Sequence, residues 1–358
     1  MNSETQIGWA AIDSLVDRLR SRAGELAIAV VANRKQQVGA DYDGYSVQTE
    51  YFSDEELEQI VGAMRALGLY VKSYFSEDDF IEAVIHGEVS ELPRALKLVY
   101  NSAQTGVGPG RKALIPAFCR LHSMPTTSSD AYVVSLARHK YHTACVLKTA
   151  GVPVPGTWCY MPRRGWLSDA RPPEGTRVIV KLTYESASIG MDADSLRYSD
   201  GTLDDFVETI AARYDQSLTV QEFIRGYEVE TPVIGLAQPF SPTVVGISID
   251  GHRELRDQFL TYQRVFADDY GFYSYEERLA PAIKSAAGTA FDALGIRGFG
   301  RIDFRINSGG DFYVIDVATN PHVIEHSSFA HVFRTTGRPY GDLIALLVAL
   351  ACDREGWI

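Results

Sequence analysis

Apolar and polar positions along this chain fall into blocks whose period changes. Residues 26–33, LAIAVVAN, form a continuous apolar run, the pattern of a strand buried on both faces. Upstream, Ile12, Leu15, Val16 and Leu19 share one face of an amphipathic helix within the first 22 residues. Downstream, Leu57, Ile60, Val61 and Met64 repeat the helical spacing over about 54–67. Ser53 and Glu56 make a capping box ahead of that helix, and Gly68 stops it. The strand pattern returns in LYVKSYF (69–75) and, after an acidic helical stretch, in LKLVYNSA (96–103). Alternation of this kind predicts a doubly wound α/β domain.

Beyond residue 103 the pattern is more mixed. TGVGPGRKALIPAFCRL (105–121) reads as a Gly-rich turn opening a helix. It lacks both the Gly-Lys-Ser/Thr of a Walker A loop and the G-x-G-x-x-G spacing. Residues 130–150 read as one helix carrying His139, Lys140 and His142, followed by the extended GVPVPGTW (151–158). A charged, Pro-rich loop (161–177) leads to the strand VIVKL (178–182) and opens a second, smaller unit. A third begins near LTVQEFI (217–224), with a strand at 242–250, a helix at 279–294 ending at Gly295, and an apolar final helix from Tyr340 to about Cys352. The predicted division is 1–125, 126–216 and 217–358.

Composition narrows the function. At 358 residues, with 46% apolar and 22% charged, the chain has the profile of a globular protein with two or three cores. No apolar stretch nears the roughly 18 residues of a membrane helix, and the start lacks a signal-peptide pattern. Cys119, Cys145, Cys159 and Cys352 show no metal-ligand spacing and read as reduced core thiols of a cytoplasmic protein. A net charge of −12 argues against general nucleic-acid binding but not against a nucleotide held by a few local cations.

The densest chemistry lies in GFGRIDFRINSGGDFYVIDVATNPHVIEH (298–326), read as two strands joined by the turn Asn307-Ser308-Gly309-Gly310. Arg301 and Asp303 share a strand face, and Asp316 on the partner strand can reach it. Two carboxylates and a guanidinium across a hairpin suit Mg²⁺ and a nucleotide's phosphates. They suit equally an exposed hairpin with a salt bridge.

This segment resembles the metal-binding end of the ATP-grasp fold in its D-alanine–D-alanine ligase-like branch, G-x-x-R-x-D, a hairpin, then an acid, Asn-Thr and Pro-Gly. Three further segments match in order. In VIVKLTYESASIGM (178–191), Lys181 stands at the phosphate-binding Lys, and Glu185 to Gly190, with Ser188 as a catalytic-loop residue, at the small-residue loop. In VQEFIRGYEVE (220–230), Gln221, Glu222, Phe223 and Ile224 match the adenine hinge and Glu228 the ribose-binding acid. Lys140, ahead of Gly151, Pro153 and Pro155, matches a Lys facing ATP. The resemblance covers about residues 96–350.

The resemblance implies an ATP-grasp α/β fold, with an N-terminal doubly wound domain followed by two α+β subdomains clasping ATP. It implies an ATP-dependent carboxylate–amine ligase working through an acyl phosphate, with ATP and Mg²⁺ (or Mn²⁺) as cofactors and a homodimer common in the family. In that frame Asp303, Asp316 and Asn320 hold the metal, Lys140 and Lys181 the phosphates, and Arg301 the acyl phosphate and oxyanion. Arg264 stands in for a lid-loop Lys missing from 261–277, whose aromatics can exclude water. His322, His326 and Ser327 border the acceptor substrate, with either histidine available as a base.

Four departures alter the substrate half. The stretch VANRKQQVGADYDGYS (31–46) lacks the G-G-x-S-x-E motif whose Glu binds a substrate amine in housekeeping D-alanine–D-alanine ligases. Ala187 replaces a substrate-supporting Ser, Ala318 the metal-binding Asn, and His322 a Gly. The expectation is a ligase with other amino-acid substrates in specialised biosynthesis; the alternative is an ATP-binding regulator with degraded catalysis.

Overall fold

The computed structural model describes residues 3–35, 45–106 and 108–358. The apolar run becomes strand β1 (Leu26–Val31), flanked in parallel by β2 (Tyr70–Tyr74) and β3 (Leu96–Asn101). Ile28, Val30, Leu98 and Tyr100 face a cluster built from helices Ser3–Arg22, Asp54–Ala66 and Tyr340–Arg354. Ala27, Ala29, Val31 and Val99 face helices Glu77–Ile85 and Leu114–Leu121. Both faces of β1 are therefore covered, which is why its sequence shows no polar alternation. The last helix is buried on nearly every side from Leu343 to Cys352 and joins the two ends of the chain in one core. The capping box at Ser53 and Glu56 is present, with Glu56 N donating to Ser53 Oγ at 3.1 Å.

The second sheet is antiparallel and holds β4 (Thr157–Met161), β5 (Gly165–Trp166), β6 (Arg177–Leu182), β7 (Leu196–Tyr198) and β8 (Leu218–Glu222), in the order β5-β4-β8-β6-β7. β8 pairs with β4 and β6, so the strand expected to open the third unit lies in the middle of the second sheet. The third sheet holds β9 (Gly226–Gly235), β10 (Pro239–Phe240), β11 (Val245–Ser248), β12 (Glu254–Arg256), β13 (Gly271–Ser274), β14 (Phe299–Ile306) and β15 (Phe312–Ala318). Helix Ala280–Leu294 packs its buried face on this sheet and ends at Gly295 in the left-handed region.

Two expectations need correction. The stretch 130–150 is two helices, Ala131–Arg138 and Lys140–Thr149, broken at His139, whose φ of −91° and ψ of 89° leave the helical region. The break has local causes: Nδ1 of His139 caps the second helix, and the Lys140 N–H turns to the Thr183 carbonyl. Cys145 is exposed, so only three of the four free cysteines are core thiols. Residues 36–44 of the stretch expected to lack the amine-binding motif lie outside the described residues.

Only three residues separate β8 from β9, and the crossing depends on Gly226. Its φ is +146°, and an added Cβ would run into the Ile306 carbonyl. Gly226→Ala is expected to cost at least about 2 kcal/mol and lower the thermal midpoint by several degrees. An unchanged midpoint in a melting curve would show that the crossing relaxes freely.

Candidate functional site

Between the three sheets lies a cleft of about 350 Å³, within the size range of small-molecule sites. β9, β14 and β15 give it a row of carboxylates. Antiparallel register sets Asp303 opposite both Glu230 on β9 and Asp316 on β15, and all three line the cleft. Arg301 lies one pleat along from Asp303. Its Nε and Nη2 donate to Asp303 at 2.8 and 2.7 Å, and Nη1 lies 3.1 Å from Glu230. Burial pushes the Asp303 carboxyl up, Arg301 pulls it down, and Glu230 and Asp316 add to the upward push. Arg301 favours the charged form, but the net shift is upward, to about 7.

A β-bulge between Asp303 and Phe304 leaves Ile315 without a partner in the ladder. Lys181, at the end of β6, donates to the Ile315 carbonyl at 3.2 Å and to Gln221 Oε1 at 3.1 Å. Burial lowers this ammonium to about 8 although Asp316 opposes the shift. Lys140, at the start of its helix because of the break at His139, donates to the Glu185 carbonyl. Phe223 and Ile224 are buried where the chain passes from β8 to β9, with Glu228 beyond them. Burial raises Glu228, and Arg305 at 3.2 Å opposes it. Arg305 also donates to the carbonyls of Gln258 and Arg256 and lies over the Phe223 ring.

The loop after Lys181 is braced at both ends. Ala187 and Ser188 have φ of 50° and 55°, and the Ser188 hydroxyl donates to the Leu260 carbonyl at 2.6 Å. The segment after Leu260 crosses the cleft as a short helix, Tyr262–Phe266, and Val265 and Phe266 line the cleft. Asp268 reaches His326 Nδ1 at 2.6 Å, with Tyr270 and Phe272 against the same imidazole.

All the expected site residues line this cleft except Arg264 and Ser327. Arg264 is turned to Asp250 and Asp269, at 3.0 and 3.1 Å. Ser327 caps helix Ser328–Thr335, accepting from Ala330 N and donating to the Ile324 carbonyl. Asn320 donates to the Asn101 carbonyl at 2.8 Å, which leaves its amide oxygen as the atom of metal-binding type. His322 packs its ring edge-on against Phe52, and burial holds it neutral, lowered to about 4.

Sequence reading missed the most heavily charged part of the site. Glu50, from the segment before helix Asp54–Ala66, lies at the centre of a buried cluster. Arg138 Nη2 donates to both its oxygens at 3.0 and 3.1 Å, Arg111 lies 3.0 Å away, and the Ser186 N–H donates at 3.0 Å. Glu185 accepts from Arg111 at 2.9 Å and lies 3.6 Å from Arg138. Burial opposes the Glu50 charge, but Arg138, Lys112 and Arg111 hold it well below the usual carboxylate range. The available signal was a pair of arginines beside apolar helical runs, Arg111 before LIPAF and Arg138 after AYVVSLA. No local motif linked them to Glu50.

The donor chemistry fits a nucleotide with a hard cation. Asp303 and Asp316 are oxygen ligands of the kind Mg²⁺ takes. Among the described residues no group of three or more His, Cys, Asp or Glu forms a metal site unaided. A bound cation would therefore complete its shell with phosphate oxygens and water.

Residues 146–349 match the family model described as the D-ala D-ala ligase C-terminus. The chain belongs to the D-alanine–D-alanine ligase family. A D-alanine–D-alanine ligase of Pelotomaculum thermopropionicum is 27% identical over 256 residues, covering 69% of this chain and 78% of that protein. An uncharacterized protein of Sinorhizobium fredii, y4sG, is 25% identical over 270 residues, covering 74% and 77%. The crystal structure of the Bacillus anthracis D-alanine–D-alanine ligase complexed with ATP superposes with a TM-score of 0.69 at 12% identity, covering 92% of this chain and 98% of that one. The VanG D-Ala:D-Ser ligase of Enterococcus faecalis gives 0.62 at 16% identity, covering 91% and 99%. At these identities the structural likeness establishes the fold, which is ATP-grasp. The protein is an ATP-dependent ligase that forms a carbon–nitrogen bond; enzymes of this fold use ATP, typically with Mg²⁺. Among the described residues no helix is long and apolar enough to cross a membrane.

The Glu50 cluster is buried, so breaking it strands charge. Glu50→Gln is expected to destabilise the protein by about 3–5 kcal/mol. Loss of the exposed Arg18–Asp353 pair through Arg18→Gln is expected to cost less than about 1 kcal/mol. Equal shifts in urea midpoint for the two variants would contradict the assignment.

Proposed function

We propose that this ligase joins a carboxylate to an amine on amino-acid substrates other than two D-alanines, as a step of specialised biosynthesis. The observation that carries this reading is the state of Glu50. Its oxygens are taken up by Arg138, Arg111 and the Ser186 N–H. Among the described residues, no Glu50 oxygen in that cluster is left to receive a substrate ammonium as housekeeping enzymes of the family do. Ala187 and Ala318 point the same way.

In this reading an N-terminal substrate-binding unit ending near residue 125 precedes the two units that clasp ATP, and the first of these runs through β8 to Glu222. Lys140 and Lys181 hold the phosphates, and the hinge at Gln221–Ile224 with Glu228 holds adenine and ribose. A substrate carboxylate oxygen attacks the γ-phosphorus and the bond to ADP breaks, giving an acyl phosphate. The amine nitrogen then attacks the carbonyl carbon, and inorganic phosphate leaves with the former carboxylate oxygen. Asp303 and Asp316, with the Asn320 amide oxygen, would hold Mg²⁺, which supplies charge neutralisation at the phosphates. Arg301 stabilises the negative charge that develops on the acyl phosphate and the tetrahedral oxyanion. His326, oriented by Asp268, takes a proton from the substrate ammonium so that the amine nitrogen can attack. The neutral, deeply placed His322 shapes the pocket, and the Ser188 hydroxyl ties the phosphate loop to the lid. Arg264, engaged by Asp250 and Asp269, supports the lid segment. Family membership and the retained Lys181, Arg301, Asp303 and Asp316 favour catalysis over a regulatory role.

The test is ATP turnover with L- and D-amino acids, singly and in pairs. Phosphate release is expected to require both a carboxylate and an amine, and to fall at least about 100-fold in both Arg301→Ala and Asp303→Asn. D-alanine with D-alanine as the best pair would overturn the specialised reading. Release with a single amino acid would overturn the two-substrate reaction.

A further inference from the structure

Among the described residues, two carboxylates, Glu50 and Glu185, face three cations, Arg111, Arg138 and Lys112. The arginines take the short contacts. Among the described residues Lys112 is left with Glu50 alone, at 3.5 Å, and Lys112 is one of the residues lining the cleft. Burial lowers it to about 7, and Arg138 and Arg111 press the same way, so the position disfavours its charge unless an anion arrives.

Neighbouring groups indicate a ligand as well. His322 Nε2 and Gln104 Oε1 are buried without a hydrogen-bond partner among the described residues, and both residues line the cleft. Burying a polar atom without a partner is costly, so two of them beside a loosely paired cation favour a polar occupant. The nearby Lys35 is already paired with Glu56 at 3.0 Å. Phe52 supplies an apolar wall. Lys112 also belongs to a different charge group from the phosphate lysines. Its charged neighbours are Glu50, Arg138 and Arg111, whereas Lys181 is coupled to Asp316, Lys140, Glu228 and Arg305.

Resting on the ligase reading above, we propose that the carboxylate substrate carries a second carboxylate, received by Lys112 at the end of the cleft bordered by His322, Gln104 and Phe52. The substrate class is therefore an acidic amino acid or a related dicarboxylic acid. One carboxylate is activated near Arg301 and the other is the recognition handle.

Calorimetric titration of the full chain without ATP tests this, using aspartate, glutamate and their amides in both hands, and succinate. An acid is expected to bind at least 10-fold more tightly than its amide. Lys112→Met should remove that preference while keeping or raising the thermal midpoint, because it deletes a half-buried cation held only by a long contact to Glu50, and Lys112→Arg should retain the preference. No acid binding, equal binding of acid and amide, or an unaltered preference in Lys112→Met would overturn the proposal. So would a lowered midpoint in Lys112→Met with the acid preference lost in Lys112→Arg too, which marks a structural cation. A matching loss of affinity for a non-hydrolysable ATP analogue would assign Lys112 to the nucleotide and overturn it as well. Acid preference without ATP turnover would instead defeat the ligase reading and leave this subsite standing.

Discussion

The buried charge cluster around Glu50 is the contact on which the arrangement of this site depends. It joins residues 88 positions apart, Glu50 and Arg138, and through Ser186 and Glu185 it fixes the loop that follows Lys181. Burying so many charges is costly unless each is paired. The cluster therefore tolerates few relative positions of the N-terminal unit and the loop. From there the constraint spreads. Lys140 holds the Glu185 carbonyl, Ser188 holds Leu260 ahead of the lid helix, and Asp268 beyond that helix holds His326. One face of the cleft is thereby linked to the other through polar contacts that cross it.

The opposite wall is rigid for a different reason. The Glu230–Asp303–Asp316 row is set by strand register over a core of Val229, Val233, Phe304 and Val314. Slipping one strand by a residue would turn its carboxylate into that core. Arg301 neutralises Asp303 and Glu230, and in the proposed reaction it is the cation that meets the developing negative charge. The site thus pairs a wall fixed by apolar packing with one fixed by ion pairing, and the lid spans the two.

What the sequence revealed followed the range of the interactions. The doubly wound N-terminal domain was legible because its strands and helices are defined by local period and caps, as at Leu26–Val31 and Ser53–Glu56. The Arg301–Asp303–Asp316 group was legible because a short hairpin brings its members together. The helix at 130–150 was misread because its break at His139 depends on a carbonyl at Thr183, a contact no window of sequence contains. β8 was assigned to the wrong unit because its partners, β4 and β6, lie earlier in the chain. Glu50 was missed for the same reason: its partners lie 61 to 136 residues away. Arg264 and Ser327 were expected from position alone, and their side chains are taken up by neighbours the motif does not specify.

Bond formation through an acyl phosphate leaves an isotopic trace in the phosphate released at this cleft. The most direct measurement supplies a panel of amino acids labelled with oxygen-18 in their carboxylates, together with ATP, Mg²⁺ and unlabelled amines, and analyses the released phosphate by mass spectrometry. One labelled oxygen is expected in each phosphate formed during turnover. Turnover that releases only unlabelled phosphate would contradict the acyl-phosphate route, because the bond to the carboxylate oxygen would never have formed.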